Sequence, residues 1–342
     1  MKKTLLFLLL FLFSCNNDYQ NYHEEKQNLQ TQNDELKSQI SDFSLEKIKY
    51  LSWITLNSTP DTKYLDDLVK NIENAKTKIW VEVYIFTEKR LKNALIKARK
   101  SWVKVEILLE KNVYMASNLN KKFYDEFKKA WIDVRYSNSK NYALNHTKMM
   151  IIDDEVILST WNYSYSSFKY NREFFLSIKN PELLKKFEEI FSNDFAWIKK
   201  NIYDDNLVLS PFYSRDKMEY LIKNAKNSIK IYSHNFWDEN MLNLLKDAQK
   251  SWKKVKVIFP SLKKVSSNKD EIEELKNAWI NLKTISKPEI HAKTILIDDK
   301  YLYIWSVNFS SASMNKNREV GILLSNPVII KQFLDIFNDD FN

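Results

Sequence analysis

Short runs of apolar and β-branched residues alternate along most of the chain with stretches in which apolar residues recur every three or four positions. The short runs predict strands, and the spaced stretches predict amphipathic helices. The elements predicted first are a strand near Ile79–Phe86, a helix at Leu91–Lys100, a strand at Val103–Leu109, a helix at Lys121–Ala130, a strand at Ile132–Tyr136, a strand pair near Lys148–Ile152 and Val156–Ser159, a strand at Phe174–Ile178 and a closing helix at Lys186–Phe195. This alternation indicates an α/β fold.

The same order of elements returns about 145 to 150 residues later. Strands are predicted again at Ile229–Tyr232, Val255–Phe259, Lys293–Ile297 and Val320–Leu324, with a closing helix at Gln332–Phe341. Near-identical segments mark the repeat: Lys100-Ser101-Trp102 returns as Lys250-Ser251-Trp252, Ala130-Trp131-Ile132 as Ala278-Trp279-Ile280, and Asn180-Pro181 as Asn326-Pro327. A period this long indicates a duplicated domain and not a solenoid. We therefore place repeat 1 at residues 51–205 and repeat 2 at residues 206–342.

The N-terminus has the pattern of a secretory signal peptide, which we place at residues 1–14. Two lysines precede the apolar run Leu5–Phe13, which is too short to span a bilayer. Cys15 follows and is the only cysteine of the chain, so no intrachain disulfide can form. This segment resembles the lipobox of bacterial lipoproteins, which implies that Cys15 is lipidated and anchors the protein to the cell envelope, outside the cytoplasm. An uncleaved anchor and ordinary secretion are the alternatives.

Residues 15–50 are rich in Asn, Gln, Glu and Lys and are predicted to form a polar tether. Apolar residues spaced by seven leave open a partial coiled coil: Leu29, Leu36 and Phe43. Asn33 and Lys47 occupy the intervening heptad positions, which favours a solvated stalk.

Composition adds a broad limit on the partners. With 342 residues, 44% of them hydrophobic and 28% charged, the chain can form two globular domains of ordinary size. Its formal net charge of +9 favours anionic partners such as lipid head groups or nucleic acid, without choosing between them.

Each repeat carries a histidine two positions before a lysine: His146 and Lys148 in repeat 1, His291 and Lys293 in repeat 2. Residues i and i+2 of a strand face the same side, so each pair can face one phosphate. Polar residues follow both pairs at matching positions: Asp153, Asn162, Ser164 and Glu173 in repeat 1, and Asp298, Ser306, Asn308, Ser310 and Glu319 in repeat 2. Lysine and asparagine supply donors to a phosphate, and glutamate can hold an imidazole in one tautomer.

A single His-x-Lys would more often be an ordinary core or surface histidine, and the duplication reverses that interpretation. Two of the four histidines occupy the same place in both repeats. His23 and His234 are not followed by the matching Lys, Asp, Asn and Glu residues, and we interpret them as structural. Asp153 and Asp298 are each followed by a second aspartate. Because Asp-Asp turns between strands have conformational causes, we predict a structural role for these two motif residues.

Repeat 2, read as His291-x-Lys293-x4-Asp298-x6-Trp305-Ser306-x-Asn308, is similar to the H-x-K-x4-D-x6-G-S-x-N signature of the phospholipase D superfamily, except at Trp305. The resemblance covers the chain from about Asn57 to its C-terminus. It implies two lobes, each a mixed β-sheet flanked by helices, whose motifs meet across a pseudo-twofold axis. It also implies a phosphohistidine intermediate, with no metal or cofactor.

The same resemblance implies roles for the motif residues. His146 is assigned as the nucleophile and His291 as the acid, with Lys148 and Lys293 beside them in the catalytic set. The expected phosphate-binding residues are Asn162, Asn308, Ser164, Ser310 and Ser306. Glu173 and Glu319 are expected to orient the histidines.

These features predict an enzyme that hydrolyses or transfers phosphodiester bonds of phospholipids. The motif pair, the predicted signal peptide and the membrane tether favour a lipid substrate. The first alternative is a nuclease of the same superfamily, because lysine and arginine neutralise nucleic-acid phosphates equally well. The second is a catalytically silent envelope protein that binds an anion, which the two intact His-Lys pairs argue against.

The tryptophans form a separate pattern. The chain has one glycine and ten tryptophans, although ordinary usage would give about 24 glycines. Trp102, Trp131, Trp252 and Trp279 each end a predicted helix, where a left-handed glycine is expected, and Trp305 takes the place of the signature glycine. Our hypothesis is that several are UGA codons that the source reads as glycine, and that bulk at position 305 would crowd the phosphate site. Trp80, inside a strand, can be genuine; the alternative is that all ten are real and the site is altered.

Overall fold

The computed structural model describes residues 30–342. The predicted signal peptide, Cys15, His23 and the first part of the tether lie outside the described residues. Residues 30–41 are helical and belong to a compact unit that ends at Phe43, separate from the unit Ser44–Asn342. In the part of the chain that is described, no helix has the length and apolar character needed to cross a membrane.

The unit Ser44–Asn342 is built from fifteen strands and ten α-helices. The strands are β1 (Ile54–Thr59), β2 (Lys78–Val83), β3 (Lys104–Leu109), β4 (Asp133–Tyr136), β5 (Lys148–Ile152), β6 (Glu155–Ser159), β7 (Asn171–Ile178), β8 (Leu207–Ser210), β9 (Ser228–Tyr232), β10 (Lys254–Pro260), β11 (Asn281–Ile285), β12 (Glu289–Ile290), β13 (Thr294–Ile297), β14 (Tyr301–Trp305) and β15 (Glu319–Leu324). The helices are α1 (Thr62–Asn74), α2 (Lys89–Lys100), α3 (Lys121–Lys129), α4 (Tyr165–Lys169), α5 (Pro181–Phe195), α6 (Ser214–Lys223), α7 (Glu239–Lys250), α8 (Lys269–Asn277), α9 (Ser311–Asn315) and α10 (Pro327–Phe341). Short 3₁₀ turns lie at Leu45–Lys47 and Ser266–Asn268.

The strands form two mixed sheets of the same design. The first has the order β1-β7-β6-β5-β2-β3-β4, and the second has the order β11-β10-β9-β13-β14-β15-β8. Along each of these orders three neighbouring strands are parallel and the remaining neighbours are antiparallel, and β12 adds a parallel pairing with β7 to the first sheet. The predicted fold class, a duplicated two-lobed α/β fold with a mixed sheet in each lobe, is confirmed.

The closing helices begin earlier than their apolar pattern predicts, because each has a cap at its N-terminus. The side chains of Asn180 and Asn326 accept hydrogen bonds from the two backbone N–H groups that open each helix. Pro181 and Pro327 take the first helical position, where no intrahelical N–H bond is needed. The helices α5 and α10 therefore start at the prolines.

The two lobes are joined by matching contacts next to the His-Lys motifs of the two repeats. Strand β12 of the second lobe pairs with β7 of the first. Arg172 in β7 donates to Asp340 of α10, and the matching residue Arg318, just before β15, donates to Asp194 of α5. Each lobe thus holds the closing helix of the other through an arginine, half-buried in the case of Arg172 and fully buried in the case of Arg318.

The predicted left-handed helix ends are confirmed. The φ angles of Trp102, Trp131, Trp252 and Trp279 are 68°, 59°, 62° and 60°. Two further tryptophans that the sequence pattern did not single out, Trp53 and Trp197, have φ angles of 57° and 61°. All six side chains are exposed.

Trp305 differs from that group, and the expectation that it crowds the phosphate site is wrong. Its side chain is fully buried, packs on Tyr303 and Phe309, and its φ is not positive. It lies opposite Gly321 in the β14–β15 ladder, and a Cβ on Gly321 would approach the Trp305 Cβ to 2.6 Å. The only glycine of the chain therefore makes room for this tryptophan.

Candidate active site

The two His-Lys pairs lie where the lobes meet. His146 lies two positions before the start of β5, and its backbone N–H donates to the carbonyl of Arg318 at 2.8 Å. His291 precedes β13 and donates in the same way to the carbonyl of Arg172 at 3.3 Å. Because each arginine directly precedes the glutamate that matches between the repeats, these backbone contacts bring each histidine to the glutamate of the other lobe.

The side chains complete this exchange between lobes. The Nδ1 atom of His146 lies 2.8 Å from Oε2 of Glu319, and the Nδ1 atom of His291 lies 2.7 Å from Oε1 of Glu173. A carboxylate at Nδ1 fixes the imidazole tautomer and leaves Nε2 free for chemistry. The predicted orienting glutamates are therefore in contact with histidines, each with the histidine of the opposite repeat.

The two pairs differ in charge. Burial lowers the pKa of His146 to about 4, although Glu319 opposes the shift. Burial would raise the pKa of Glu319, but His146 and Lys148 hold it below its ordinary value. Burial raises the pKa of Glu173 to about 7, and burial together with Lys293 lowers the pKa of His291 well below its ordinary value. Near neutral pH Glu319 is ionised, whereas Glu173 is close to half protonated.

The two lysines are buried and held by the same contact in each lobe. Lys148 Nζ donates to the carbonyl of His146 at 2.7 Å, and Lys293 Nζ donates to the carbonyl of His291 at 2.7 Å. Burial lowers the pKa of both lysines, that of Lys293 to about 8. Each ammonium is thus fixed beside its own imidazole, where an anionic phosphate would be strongly attracted.

A hydroxyl supports each glutamate from behind. Thr160 Oγ1 donates to Glu173 Oε2 at 2.7 Å. Ser306, the matching residue of repeat 2, is fully buried, hydrogen-bonds the backbone of Val320 and also stabilises the charged form of Glu319. Phosphate contact by Ser306 stays a prediction, and its hydroxyl is already bonded to the backbone of Val320.

The two asparagines are matched as well. Asn162 and Asn308 are half-buried, and the Oδ1 atom of each is buried without a hydrogen-bond partner among the described residues. Buried polar atoms are ordinarily satisfied, so a pair of unpartnered ones beside the histidine motifs suits a ligand site. Ser164 and Ser310 cap the short helices α4 and α9, with Ser164 bonded to Ser167 and Ser310 to the N–H of Ser313. Phosphate binding by these four residues remains a prediction.

The motif aspartates lie away from the histidines, at the other end of β5 and β13. Asp153 accepts from the backbone N–H groups of three consecutive residues that lead into β2: Lys76, Thr77 and Lys78. Asp298 does the same for the segment that leads into β9: Lys226, Asn227 and Ser228. These contacts agree with a structural role.

Sequence analysis missed one residue of this site. His234 was interpreted as structural because no matching motif residues follow it, but its ring lies against the His291 ring, with 4.5 Å between centroids, which places it beside the candidate site. The signal was available in the repeat: Tyr84 occupies the matching position and packs edge-on against His146, at 4.7 Å. In the sequence, His234 belongs to no motif, and its alignment with Tyr84 is the only feature that indicates a place beside the site.

Among residues 30–342, no group of three or more histidine, cysteine, aspartate or glutamate side chains is placed to hold a metal ion. A reaction without metal or cofactor remains a prediction. The arrangement itself offers two imidazoles whose Nε2 atoms are not engaged by the glutamates, and two buried ammonium groups, where the lobes meet. That set suits nucleophilic attack on a phosphodiester with proton transfer to the leaving group.

Comparison with known proteins agrees with this geometry. Residues 68–195 and 218–341 match the family described as "Cardiolipin synthase, PLD-like domain". A cardiolipin synthase of Clostridium perfringens is 24% identical, over 98% of this chain and 84% of that protein. A phospholipase D of Rickettsia prowazekii is 31% identical, over 44% of this chain and 71% of that protein. The solved phosphatidylserine synthase of Haemophilus influenzae shares the fold, with a TM-score of 0.69, 13% identity and 90% of both chains covered.

Proposed function

The chain belongs to the family of phospholipase D-like domains, and on that premise we propose that it transfers or hydrolyses the phosphodiester bonds of phospholipids through a phosphohistidine. The observation that carries the proposal is the crossed pairing of His146 with Glu319 and of His291 with Glu173, at 2.8 and 2.7 Å. It produces one site from two half-sites, as two-step displacement at phosphorus requires. The relatives named cardiolipin synthase and phospholipase D support a lipid substrate.

In the first step, Nε2 of His146 attacks phosphorus and the bond to the leaving alcohol breaks. His291, protonated when the anionic diester is bound, gives its Nε2 proton to that alcohol. In the second step, water or another alcohol attacks the phosphohistidine, its proton passes to His291, and the bond between phosphorus and His146 breaks. Proton transfer of this kind contributes roughly 10²- to 10⁴-fold to the rate.

The donors around the histidines stabilise the additional negative charge of the transition state. Lys148 and Lys293 are fixed there by backbone carbonyls, and we propose that the side-chain N–H groups of Asn162 and Asn308 also donate to the phosphate. Loss of one preorganised donor typically costs about 3 to 4 kcal/mol of transition-state stabilisation.

The test uses the full-length protein in EDTA with a p-nitrophenyl phosphodiester, whose leaving group needs little help from an acid. His291→Ala should still form the phosphoenzyme and then accumulate acid-labile phosphate on the peptide that contains His146. His146→Ala should give no labelled peptide. Label on His291 in the His146→Ala protein would reverse the two roles, and no label in any variant would contradict the covalent mechanism.

The substrate class is tested separately with phosphatidylcholine vesicles and single-stranded DNA, each with the wild type and His291→Ala. Choline release that requires His291 supports the lipid substrate. Cleavage of DNA without choline release would replace this proposal by the nuclease.

We further propose that Cys15 carries a lipid anchor that holds the protein in the cell envelope. The support is the run Leu5–Phe13 between Lys2-Lys3 and this single cysteine. Labelled palmitate should enter the wild-type protein in a bacterial host and should not enter Cys15→Ser. Equal labelling of both would exclude this anchor.

A further inference from the structure

Tyr84 and His234 occupy the same place in the two lobes, and a matching asparagine holds each of them. Asn120 donates to the carbonyl of Tyr84 and accepts from the N–H of Phe86, at 2.7 and 2.9 Å. Asn268 makes the same two bonds, to the carbonyl of His234 and from the N–H of Phe236, at 2.8 and 3.3 Å. The backbone supports are therefore equal, and the side chains alone differ.

The side chain of His234 presents an acceptor. Its Nδ1 atom lies 3.1 Å from the carbonyl oxygen of Ile290 and must donate, because a carbonyl can only accept. Burial and the neighbouring His291 lower the pKa of His234, so the ring is neutral near neutral pH and Nε2 carries a lone pair. Within the described residues this Nε2 has no hydrogen-bond partner, and the ring is half-buried beside His291.

The side chain of Tyr84 presents a donor. Its hydroxyl oxygen accepts from the backbone N–H of Tyr114 at 2.6 Å, which leaves its own O–H to donate. A phosphate oxygen beside His146 can use such a donor. An attacking alcohol brings O–H groups that must be accepted, and the Nε2 atom of His234 offers such an acceptor next to His291, the histidine that takes the proton.

We propose that His234 selects an acceptor alcohol that carries a second hydroxyl next to the attacking one, as glycerol does. The inference rests on the proposed function and concerns its second step. One hydroxyl attacks phosphorus and passes its proton to Nε2 of His291 while the phosphorus–nitrogen bond to His146 breaks. The adjacent hydroxyl donates a hydrogen bond to Nε2 of His234. Water lacks the second hydroxyl, so transfer to a diol is favoured over hydrolysis.

The experiment compares ethylene glycol with ethanol as competing acceptors for one phosphoenzyme of the full-length protein. Phosphatidylcholine vesicles and a p-nitrophenyl phosphodiester serve as donors, and the two transfer products are separated and counted. The measured quotient is the amount of ethylene glycol product divided by the amount of ethanol product. Because both alcohols compete for the same intermediate, this quotient does not depend on how much total activity a substitution leaves. A positioned hydrogen bond predicts a quotient of roughly ten for the wild type.

His234→Phe and His234→Tyr should reduce the quotient to about one, since phenylalanine has no acceptor and the longer tyrosine side chain carries its oxygen beyond the position of the histidine Nε2. His234→Gln, which retains an acceptor oxygen, should restore part of it. Tyr84→Phe is the matched control and should retain the wild-type quotient. If His234→Phe does not fold, His234→Tyr, which copies the other lobe, and His234→Gln carry the test.

A wild type without preference for ethylene glycol, or a preference that survives in His234→Phe or His234→Tyr, would overturn the inference while leaving the phosphohistidine mechanism intact. Turnover of the p-nitrophenyl diester without turnover of lipid would contradict only the lipid substrate. The quotient measured with the p-nitrophenyl diester would then still test the role of His234. No turnover of either donor would overturn the proposed function and the inference together.

Discussion

The two histidine–glutamate pairs are alike in geometry and unlike in charge. Their Nδ1-to-oxygen distances differ by only 0.1 Å, being 2.8 and 2.7 Å. The pKa of Glu319 is lowered, whereas burial raises the pKa of Glu173 to about 7. A carboxylate beside Nδ1 increases the electron density at Nε2, which suits a nucleophile. The charge difference therefore supports the assignment of that role to His146.

The difference predicts unequal effects of isosteric substitution. At about pH 6, where Glu173 is mostly protonated, Glu173→Gln removes little charge and should lower kcat/KM by no more than about threefold. Glu319→Gln removes an ionised partner and should lower it by about 10²-fold. Rates on the p-nitrophenyl diester measure both. Equal losses in the two variants would show that the half-sites carry the same charge.

Lys293 predicts the alkaline limit of the reaction. Its pKa is lowered to about 8, so the ammonium that attracts the phosphate is present below that pH and is lost as the pH rises through it. We expect kcat/KM to fall above about pH 8, measured from about pH 5 to 10 with a diester that does not titrate in this range. In Lys293→Arg the residual activity should persist to higher pH, because guanidinium remains protonated. A wild-type profile that stays flat to pH 10 would exclude this role.

At the scale of the elements, exposed tryptophans end helices in a conformation that normally requires glycine. Trp102 and Trp252 follow α2 and α7, with φ angles of 68° and 62° and side chains 89% and 94% exposed. Their rings gain almost no burial to offset the strained backbone. A non-glycine residue in this conformation costs roughly 1 to 2 kcal/mol.

We therefore expect Trp102→Gly and Trp252→Gly each to raise the free energy of unfolding by about 1 kcal/mol, after the larger backbone entropy of glycine is subtracted. The two sites lie in different lobes, so the effects should add. Urea denaturation measures both. Trp80→Gly is the control: Trp80 lies in β2 and stacks on Phe191 with a 12° interplanar angle, so its loss should destabilise the fold. Destabilisation by the two cap substitutions would contradict the argument from strain.

The same positions bear on the hypothesis that the source reads several of these UGA codons as glycine. It stays a proposal, and a direct measurement tests it. It is supported at Trp53, Trp102, Trp131, Trp197, Trp252 and Trp279, where the backbone is left-handed. It has no such support at Trp305, which is buried opposite Gly321. Peptide masses of protein from its native source should show glycine at the exposed positions, and tryptophan mass at Trp102 and Trp252 would exclude recoding there.

At the scale of the whole molecule, the repeat allowed the fold and most of the site to be predicted, because pattern and motif are local properties of each copy. The element order, the two lobes and the left-handed helix ends follow from residues close in sequence. The exchange of Glu173 and Glu319 between histidines was not predicted, because it depends on how the two lobes dock. His234 was missed for a related reason: it reaches the site from the segment that follows β9, 57 positions before His291, and the motif does not include it.

The docking of the lobes is stabilised by a buried charge cluster that differs from its counterpart. Arg172 is satisfied by Asp340 and by the carbonyl of Thr59. Arg318 is fully buried and donates through Nε to Asp194, while its Nη1 and Nη2 atoms have no partner among the described residues.

A second acid, Glu82, shares the Arg318 pocket. Burial, and then the charge of Asp194, raises the pKa of Glu82 well above its ordinary value, and burial also raises the pKa of Asp194, which Arg318 opposes. Because Asp194 accepts directly from Arg318 Nε, we expect Asp194 to carry the negative charge and Glu82 to hold a proton. The cluster thus contains one cation, Arg318, one anion, Asp194, and one neutral acid, Glu82, which can ionise as a reserve if the anion is lost. The reserve predicts that the two acids can replace each other as the counter-charge of Arg318.

Substitution of the two acids should therefore be strongly non-additive. Glu82→Gln replaces a neutral acid by a neutral amide and should change the free energy of unfolding by less than about 1 kcal/mol. Asp194→Asn should cost about 1 to 2 kcal/mol, since Glu82 can ionise in its place. The double variant leaves Arg318 buried without a counter-charge and should lose about 3 to 5 kcal/mol in urea denaturation. Asp335→Asn, at the exposed Lys331–Asp335 pair, is the control and should have almost no effect. If the double variant loses only the sum of the single effects, Glu82 does not act as a reserve. Asp194 alone would then supply the counter-charge of Arg318, whose backbone carbonyl accepts from the N–H of His146.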